Sequence, residues 1–167
     1  MGKVKIGVFG AGRGKTMIGQ VLNRPDGQAE LVAICDKYRP ALDEAGKMAK
    51  DKGLDVALYE DFDEFIQHDM DAVVLANYAN QHAPYAIRVM KSGRHVMSEC
   101  LTCATLKEAV ELIEAVEETG KIYMIAENYP FSKVRMEMKR LYDNGELGEL
   151  LYGESEYGHP MDAPTTY

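Results

Sequence analysis

The residues best suited to chemistry open the chain. Gly10-Ala-Gly12-Arg13-Gly14-Lys15-Thr16 follows directly on the apolar run Lys3–Phe9. Glycines that end a buried strand and open a helix let backbone N–H groups approach an anion closely, and the helix N-terminus adds its own unpaired donors. Two phosphate-binding loops share this plan. The nucleoside-triphosphatase loop G-x-x-x-x-G-K-[ST] fits at Gly14, Lys15 and Thr16, but puts Phe9 where its first glycine belongs. The dinucleotide turn G-x-G-x-x-G fits at Gly10 and Gly12, but has Lys15 at the third glycine position, with Gly14 one residue early. Either Lys15 reaches toward the pyrophosphate or substrate, or Gly14 relieves the close helix–strand contact in its place; the second reading is favoured.

An acid decides between the loops. Asp36 closes the next apolar run, 24 residues beyond Gly12. A dinucleotide fold places a carboxylate at about this distance, roughly 20 residues on, to accept hydrogen bonds from the adenosine ribose. Alone, Asp36 would read equally well as a cap or turn residue; with the glycines at the right distance it points to a dinucleotide. A carboxylate there repels a 2′-phosphate, so NAD is preferred over NADP, although Lys37 and Arg39 are near enough to accommodate that phosphate.

These residues must be held by a repeating frame. The short apolar runs Lys3–Phe9, Ala29–Cys35, Val56–Tyr59, Asp71–Ala76, Arg94–Ser98 and Ile122–Ala126 read as strands. Between them lie helical stretches, Thr16–Leu22, Pro40–Lys52, Glu60–Ile66 and Gln81–Lys91. A further helix opens on the capping box Thr105–Glu108 and stops at Gly120, with Leu106, Ala109, Val110, Leu112, Ile113 and Val116 on one face. Strands alternating with helices in this way predict an α/β fold, a doubly wound parallel sheet of the Rossmann type. Ligands of such sheets bind beyond the strand C-termini. That directs attention to Gly10 to Lys15, Asp36, Asn77 to His82, Glu99 to Cys103 and Glu127 to Tyr129. The last forty or so residues differ: a helix over Phe131–Tyr142, a lone strand over Leu150–Tyr157, then a loop from His159 to Tyr167. The expected organisation is a Rossmann domain over 1–128, with 129–167 forming a connecting helix and the first strand of a truncated second domain.

Composition narrows the partners. With 167 residues the chain holds one sizeable core, and a formal net charge of −8 argues against nucleic acid. No apolar run approaches the roughly 20 residues that cross a membrane. Without a signal-peptide pattern, a cytoplasmic protein follows as the default. Three cysteines, Cys35, Cys100 and Cys103, fit a reducing compartment. Cys100-Leu-Thr-Cys103 invites a redox or zinc reading, but no second cysteine pair or spaced histidine pair accompanies it. No metal is expected, and small packing residues in a loop are the favoured reading. His159 has a side chain suited to a general base but lies in the terminal loop; Tyr157 and Met161 read as interface residues.

At these strand ends the sequence resembles the Gfo/Idh/MocA oxidoreductases. The likeness rests on Val32-Ala-Ile-Cys-Asp36, Asp61-Phe-Asp-Glu-Phe-Ile66, Asp71–Ala76, Asn80-Gln-His82, Lys91-Ser-Gly-Arg-His-Val96 with Glu99, and Ala126-Glu-Asn-Tyr129. The resemblance implies a nicotinamide dinucleotide as cofactor and hydride transfer to or from a small carbohydrate-like hydroxyl substrate. It implies Gly10, Gly12, Arg13, Gly14, Lys15, Asp36, Asn77 and Glu99 as cofactor-binding residues. Glu99, His82 and Asn128 follow as catalytic candidates: Glu99 to orient substrate or nicotinamide, or else a solvated loop acid. His82 would contact ribose or substrate, or else be a polar surface group. Asn128 lies where the family commonly has an Asn near the nicotinamide. Two departures matter. Asn77-Tyr78 replaces the usual Thr-Pro, and Glu99-Cys100-Leu101 replaces Glu-Lys-Pro, so the lysine's proton-transfer role is not carried over to Cys100. Family members also run to about twice this size, the remainder walling the substrate pocket and often making a homo-oligomer interface. NAD-dependent glycosidases on this fold lack the lysine too. That leaves a second reading, transient oxidation assisting glycoside cleavage or another elimination, and a third, a nucleotide-binding module inactive by itself.

Overall fold

Runs such as Ala72-Val-Val-Leu75 carry apolar side chains at successive positions, so both faces of each strand must be covered. The computed structural model describes residues 2–23, 27–156 and 158, and it forms the expected sheet. Its strands are β1 (Val4–Phe9), β2 (Ala29–Cys35), β3 (Ala57–Tyr59), β4 (Ala72–Leu75), β5 (His95–Ser98) and β6 (Tyr123–Ile125). All pairings are parallel, in the order β3-β2-β1-β4-β5-β6. The direction of winding reverses between β1 and β4, and the crevice for a ligand lies beyond the C-terminal ends of those two strands.

Helices α1 (Ala11–Leu22), α2 (Arg39–Asp51), α3 (Phe62–Phe65), α4 (His82–Lys91) and α5 (Leu106–Thr119) supply the cover. Strand alternation sorts them into two layers. Val8, Ile34 and Val74 pack with Ile18 of α1 and Leu42 of α2 on one face. Phe9, Cys35, Val73 and Leu75 pack with Phe65 of α3, Met90 of α4 and Leu112 of α5 on the other. The β1–β2 pairing shifts register between Ile6 and Gly7, so Leu31 joins the α1 layer while Ala33, two residues on, joins the opposite one. Every backbone strand end near the crevice is tied. The Gly10 N–H donates to the Cys35 carbonyl at 2.8 Å and the Ala76 N–H to the Phe9 carbonyl at 2.8 Å.

The chain divides into two compact units, Met1–Glu127 and Asn128–Tyr167. The first holds the sheet and α1 to α5. The second holds a short turn, Tyr129–Phe131, and α6 (Lys133–Asp143), which opens at Ser132 and buries none of its residues. Among the described residues no helix is long and apolar enough to cross a membrane.

Three expectations need correction. Helix α1 begins at Ala11 rather than Thr16, because the left-handed Gly10 (φ 101°) turns the chain straight from strand into helix. The apolar face assigned to α5 splits: Leu112 is buried with Ala115, but Leu106, Val110 and Ile113 are exposed. The strand expected over Leu150–Tyr157 does not form in residues 150–156, which are exposed and carry no regular structure. A strand needs a neighbour to pair its N–H and C=O groups, and no strand among the second unit's described residues offers one. The readings placed on Tyr157, His159 and Met161 lie outside the described residues.

Candidate dinucleotide site

Three glycines build the floor of the crevice, each for its own reason. Gly10 lies in the left-handed region, and a Cβ on it would stand 2.4 Å from the Ala76 carbonyl. Only glycine lets the ends of β1 and β4 come so close. A Cβ on Gly14 would stand 2.8 Å from Val8 Cγ1, so α1 lies against β1 at that residue. A Cβ on Gly12 would meet nothing within 4 Å, which leaves its surface open to a ligand. Lys15 faces elsewhere, forming an ion pair with Glu44 of α2.

The start of α1 is a donor site. Its first turn has no acidic residue and its N-cap, Gly10, has no side chain to cap it. The Gly14 N–H bonds back to the Gly10 carbonyl at 3.0 Å, and the Ala11 N–H donates to Asp36 Oδ2 at 2.6 Å. The N–H groups of Gly12 and Arg13 are left without an intrahelical acceptor, as first-turn amides are. Asp36 therefore does more than its spacing suggested. Its Oδ1 also accepts the Tyr38 N–H at 2.8 Å, so the carboxylate fixes the glycine turn to the loop after β2. Each oxygen keeps a further lone pair for a hydroxyl donor. The adjacent Cys35 thiol is pushed up to about 12, first by burial and then by the Asp36 charge.

Across the crevice, Arg13 and Glu99 approach with Nε and Oε1 3.6 Å apart. Arg13 follows β1 and Glu99 follows β5, so the pair spans the end of β4, the strand between them. Only 14% of the Glu99 side chain is accessible, so the carboxylate is largely withdrawn from solvent. Asn77, just past β4, has both side-chain amide atoms buried without a partner among the described residues. A buried amide usually has a partner, and a polar ligand in the crevice would supply a donor and an acceptor for it.

His82 is not the surface group its helix-start position allowed. It is 1% exposed, with Nδ1 2.9 Å from the Leu101 carbonyl and Nε2 3.1 Å from the Asn77 carbonyl. The ring holds together the loops that follow β4 and β5. Cys100, read as a packing residue, is instead exposed; its Sγ donates to Glu127 Oε2 at 3.4 Å. Partial desolvation of the sulfur, followed by that carboxylate, raises the Cys100 thiol above its ordinary range. Asn128 is the first residue of the second unit, where its carbonyl accepts the Phe131 N–H at 3.2 Å. The first unit thus brings together Gly10, Gly12, Gly14, Arg13, Asp36, Asn77 and Glu99, with His82 behind them. No local pattern of residues marks the Asp36–Ala11 bond or the burial of His82.

The residues present fit a dinucleotide: an open glycine, free first-turn amides, a carboxylate with lone pairs to spare at the end of β2 and an unpartnered amide. Comparison with known proteins agrees. An α-N-acetylgalactosaminidase from Shewanella oneidensis is 32% identical over 165 residues, covering 95% of this chain and 36% of that protein. The chain thus spans little more than a third of such relatives. The WlbA dehydrogenase from Bordetella pertussis, solved with NADH and UDP-GlcNAcA, superposes with a TM-score of 0.80 at 28% identity, over 87% of this chain and 43% of that one. Scyllo-inositol dehydrogenase from Lactobacillus casei, solved with NAD(H) and scyllo-inositol, gives 0.79 at 25% identity, over 88% and 43%. The Gfo/Idh/MocA model, described as an oxidoreductase family with an NAD-binding Rossmann fold, matches residues 4–127. With that match over most of its length, the chain belongs to the Gfo/Idh/MocA oxidoreductase family and carries its NAD-binding Rossmann domain.

Proposed function

We propose that the chain binds NAD, in preference to NADP, as the cofactor part of an oxidoreductase acting on a carbohydrate-like hydroxyl compound. The observation that carries this is the glycine turn tied to Asp36, with Gly12 open beside the unpartnered Asn77 amide. The Gly12 and Arg13 N–H groups and the Arg13 guanidinium would hold the pyrophosphate. Asp36 would accept from the adenosine ribose, and the Asn77 amide would bond polar atoms of the cofactor nearer the reacting end. The bound cofactor supplies the hydride acceptor or donor. Glu99 orients the reacting partners, His82 positions the two loops around them, and Asn128 offers an amide to the carboxamide or a sugar hydroxyl. Residues 129–167 belong on this reading to the substrate-side part.

The test is a fluorescence titration of NADH. The wild-type chain is expected to bind, and Asp36→Ala to weaken binding by about tenfold, roughly 1.4 kcal/mol. Tight ATP–magnesium binding with no response to NADH would sink the assignment.

A second reading is favoured by Cys100, which stands where a proton-transferring lysine is usual, and by the Shewanella oneidensis galactosaminidase. On it, transient oxidation of a sugar assists cleavage of its glycosidic bond. Screening the protein with NAD against polyols and against aryl glycosides separates the two: net NADH accumulates only with the first.

A further inference from the structure

Two cations follow β2, Lys37 in the loop and Arg39 at the start of α2, either of which would suit the 2′-phosphate of NADP. Arg39 is already engaged. Its Nε donates to Asp43 Oδ1 at 2.8 Å and its Nη1 to Glu60 Oε1 at 2.8 Å. Asp43 lies one turn further along α2, and Glu60 follows β3. In the strand order β3 lies outside β2, on the side opposite β1 and the crevice. The guanidinium is therefore drawn outward, to the edge of the sheet, while Asp36 at the end of β2 faces inward to the Ala11 N–H. Lys37 is exposed, and no ion pair holds it among the described residues.

We propose that Asp43 and Glu60 are specificity-determining residues, which exclude NADP by holding the Arg39 guanidinium away from the adenosine ribose. This rests on the dinucleotide assignment above. Asp36 repels a 2′-phosphate, but a nearby arginine would offset that repulsion with two parallel hydrogen bonds. The Asp43–Arg39–Glu60 arrangement removes the compensating cation. Lys37, a single flexible point charge, does not replace a planar fork.

The experiment compares NADH and NADPH binding by calorimetry in wild type, Asp43→Asn/Glu60→Gln, and the same double variant with Arg39→Ala. All the altered side chains are more than half exposed, so folding is preserved and is checked by the thermal midpoint. The double variant is expected to bind NADPH about fivefold more tightly than wild type, the scale of two exposed ion pairs, with NADH changed less than about twofold. Adding Arg39→Ala should erase the gain. An unchanged NADPH affinity in the double variant, with NADH binding intact, overturns the proposal. So does a gain that survives loss of Arg39, since removal of negative charge alone would then explain it. If wild type binds neither nucleotide, the dinucleotide assignment falls and takes the proposal with it.

Discussion

A methyl group added at Gly12 would meet nothing within 4 Å, whereas one added at Gly14 would press on Val8 Cγ1 at 2.8 Å. Two glycines of one turn thus answer to different constraints, and mutation separates them. Gly12→Ala is expected to keep or raise stability by up to about 1 kcal/mol, since alanine is the better helix former. It should still weaken NADH binding about tenfold, because the new methyl occupies the approach to the pyrophosphate. Gly14→Ala should lower unfolding free energy by roughly 1–3 kcal/mol, as overpacking does. Urea melts and NADH titrations on both variants check this; a destabilised Gly12→Ala would refute the division. The irregular spacing of the turn was legible in the sequence, but the reason Lys15 is tolerated was not, because it lies in the side of α1 that faces Glu44. Cys35 makes a second residue-scale case. Burial raises its thiol from 9.0 to about 12, so the folded state prefers the protonated form. The stabilisation is whole below about pH 9 and is lost as pH rises toward 12, at up to roughly 1.4 kcal/mol per unit. The stability difference between wild type and Cys35→Ala should therefore shrink above pH 9 in alkaline denaturation curves. A constant difference would mean the thiol does not titrate with folding.

At the scale of elements, the crevice is a meeting of strand ends. Strand positions and their parallel pairing were readable from buried apolar runs alternating with helices, since such connections leave few other arrangements; the order of the strands across the sheet was not. The cross-links between loops were not, because a bond such as His82 to the Leu101 carbonyl joins residues distant in sequence and leaves no periodic trace. The Arg13–Glu99 pair is the cross-link with the clearest consequence. It spans the end of β4, where a pyrophosphate would need the same guanidinium. On the proposed reading, Glu99 and the cofactor compete for Arg13. Glu99→Gln is expected to tighten NADH binding by about two- to fivefold, the worth of a partly exposed pair, and Arg13→Ala to weaken it. Raising salt should reduce both effects, since an Arg13 that is mostly exposed is readily screened. Weaker NADH binding by Glu99→Gln would instead mean that Glu99 touches the cofactor directly.

The whole molecule divides by how its elements are buried. In the first unit, β1 and β4 lie inside the sheet, and Val8, Val73 and Leu75 have almost no accessible surface. In the second, α6 has eleven residues and buries none of them; Val134, Met136, Met138 and Tyr142 are all exposed. The sequence pattern located α6 to within a residue or two, yet it also promised a strand over Leu150–Tyr157, and residues 150–156 have no strand to pair with among the described residues of that unit. Helix propensity is local and survives without neighbours, whereas a strand exists only in company. An isolated helix shorter than about 12–15 residues is only marginally stable in water, whatever its caps. Amide exchange should therefore follow burial rather than secondary structure. In deuterium exchange at neutral pH, the amides of residues 133–143 are expected to exchange far ahead of those in β1 and β4, which open only with global unfolding. NADH, which on the proposed reading contacts the ends of β1, β2, β4 and β5, should slow exchange further at Gly12, Arg13 and Asn77. Equal protection of α6 and the central strands would show that burial within its own unit does not govern the stability of that helix.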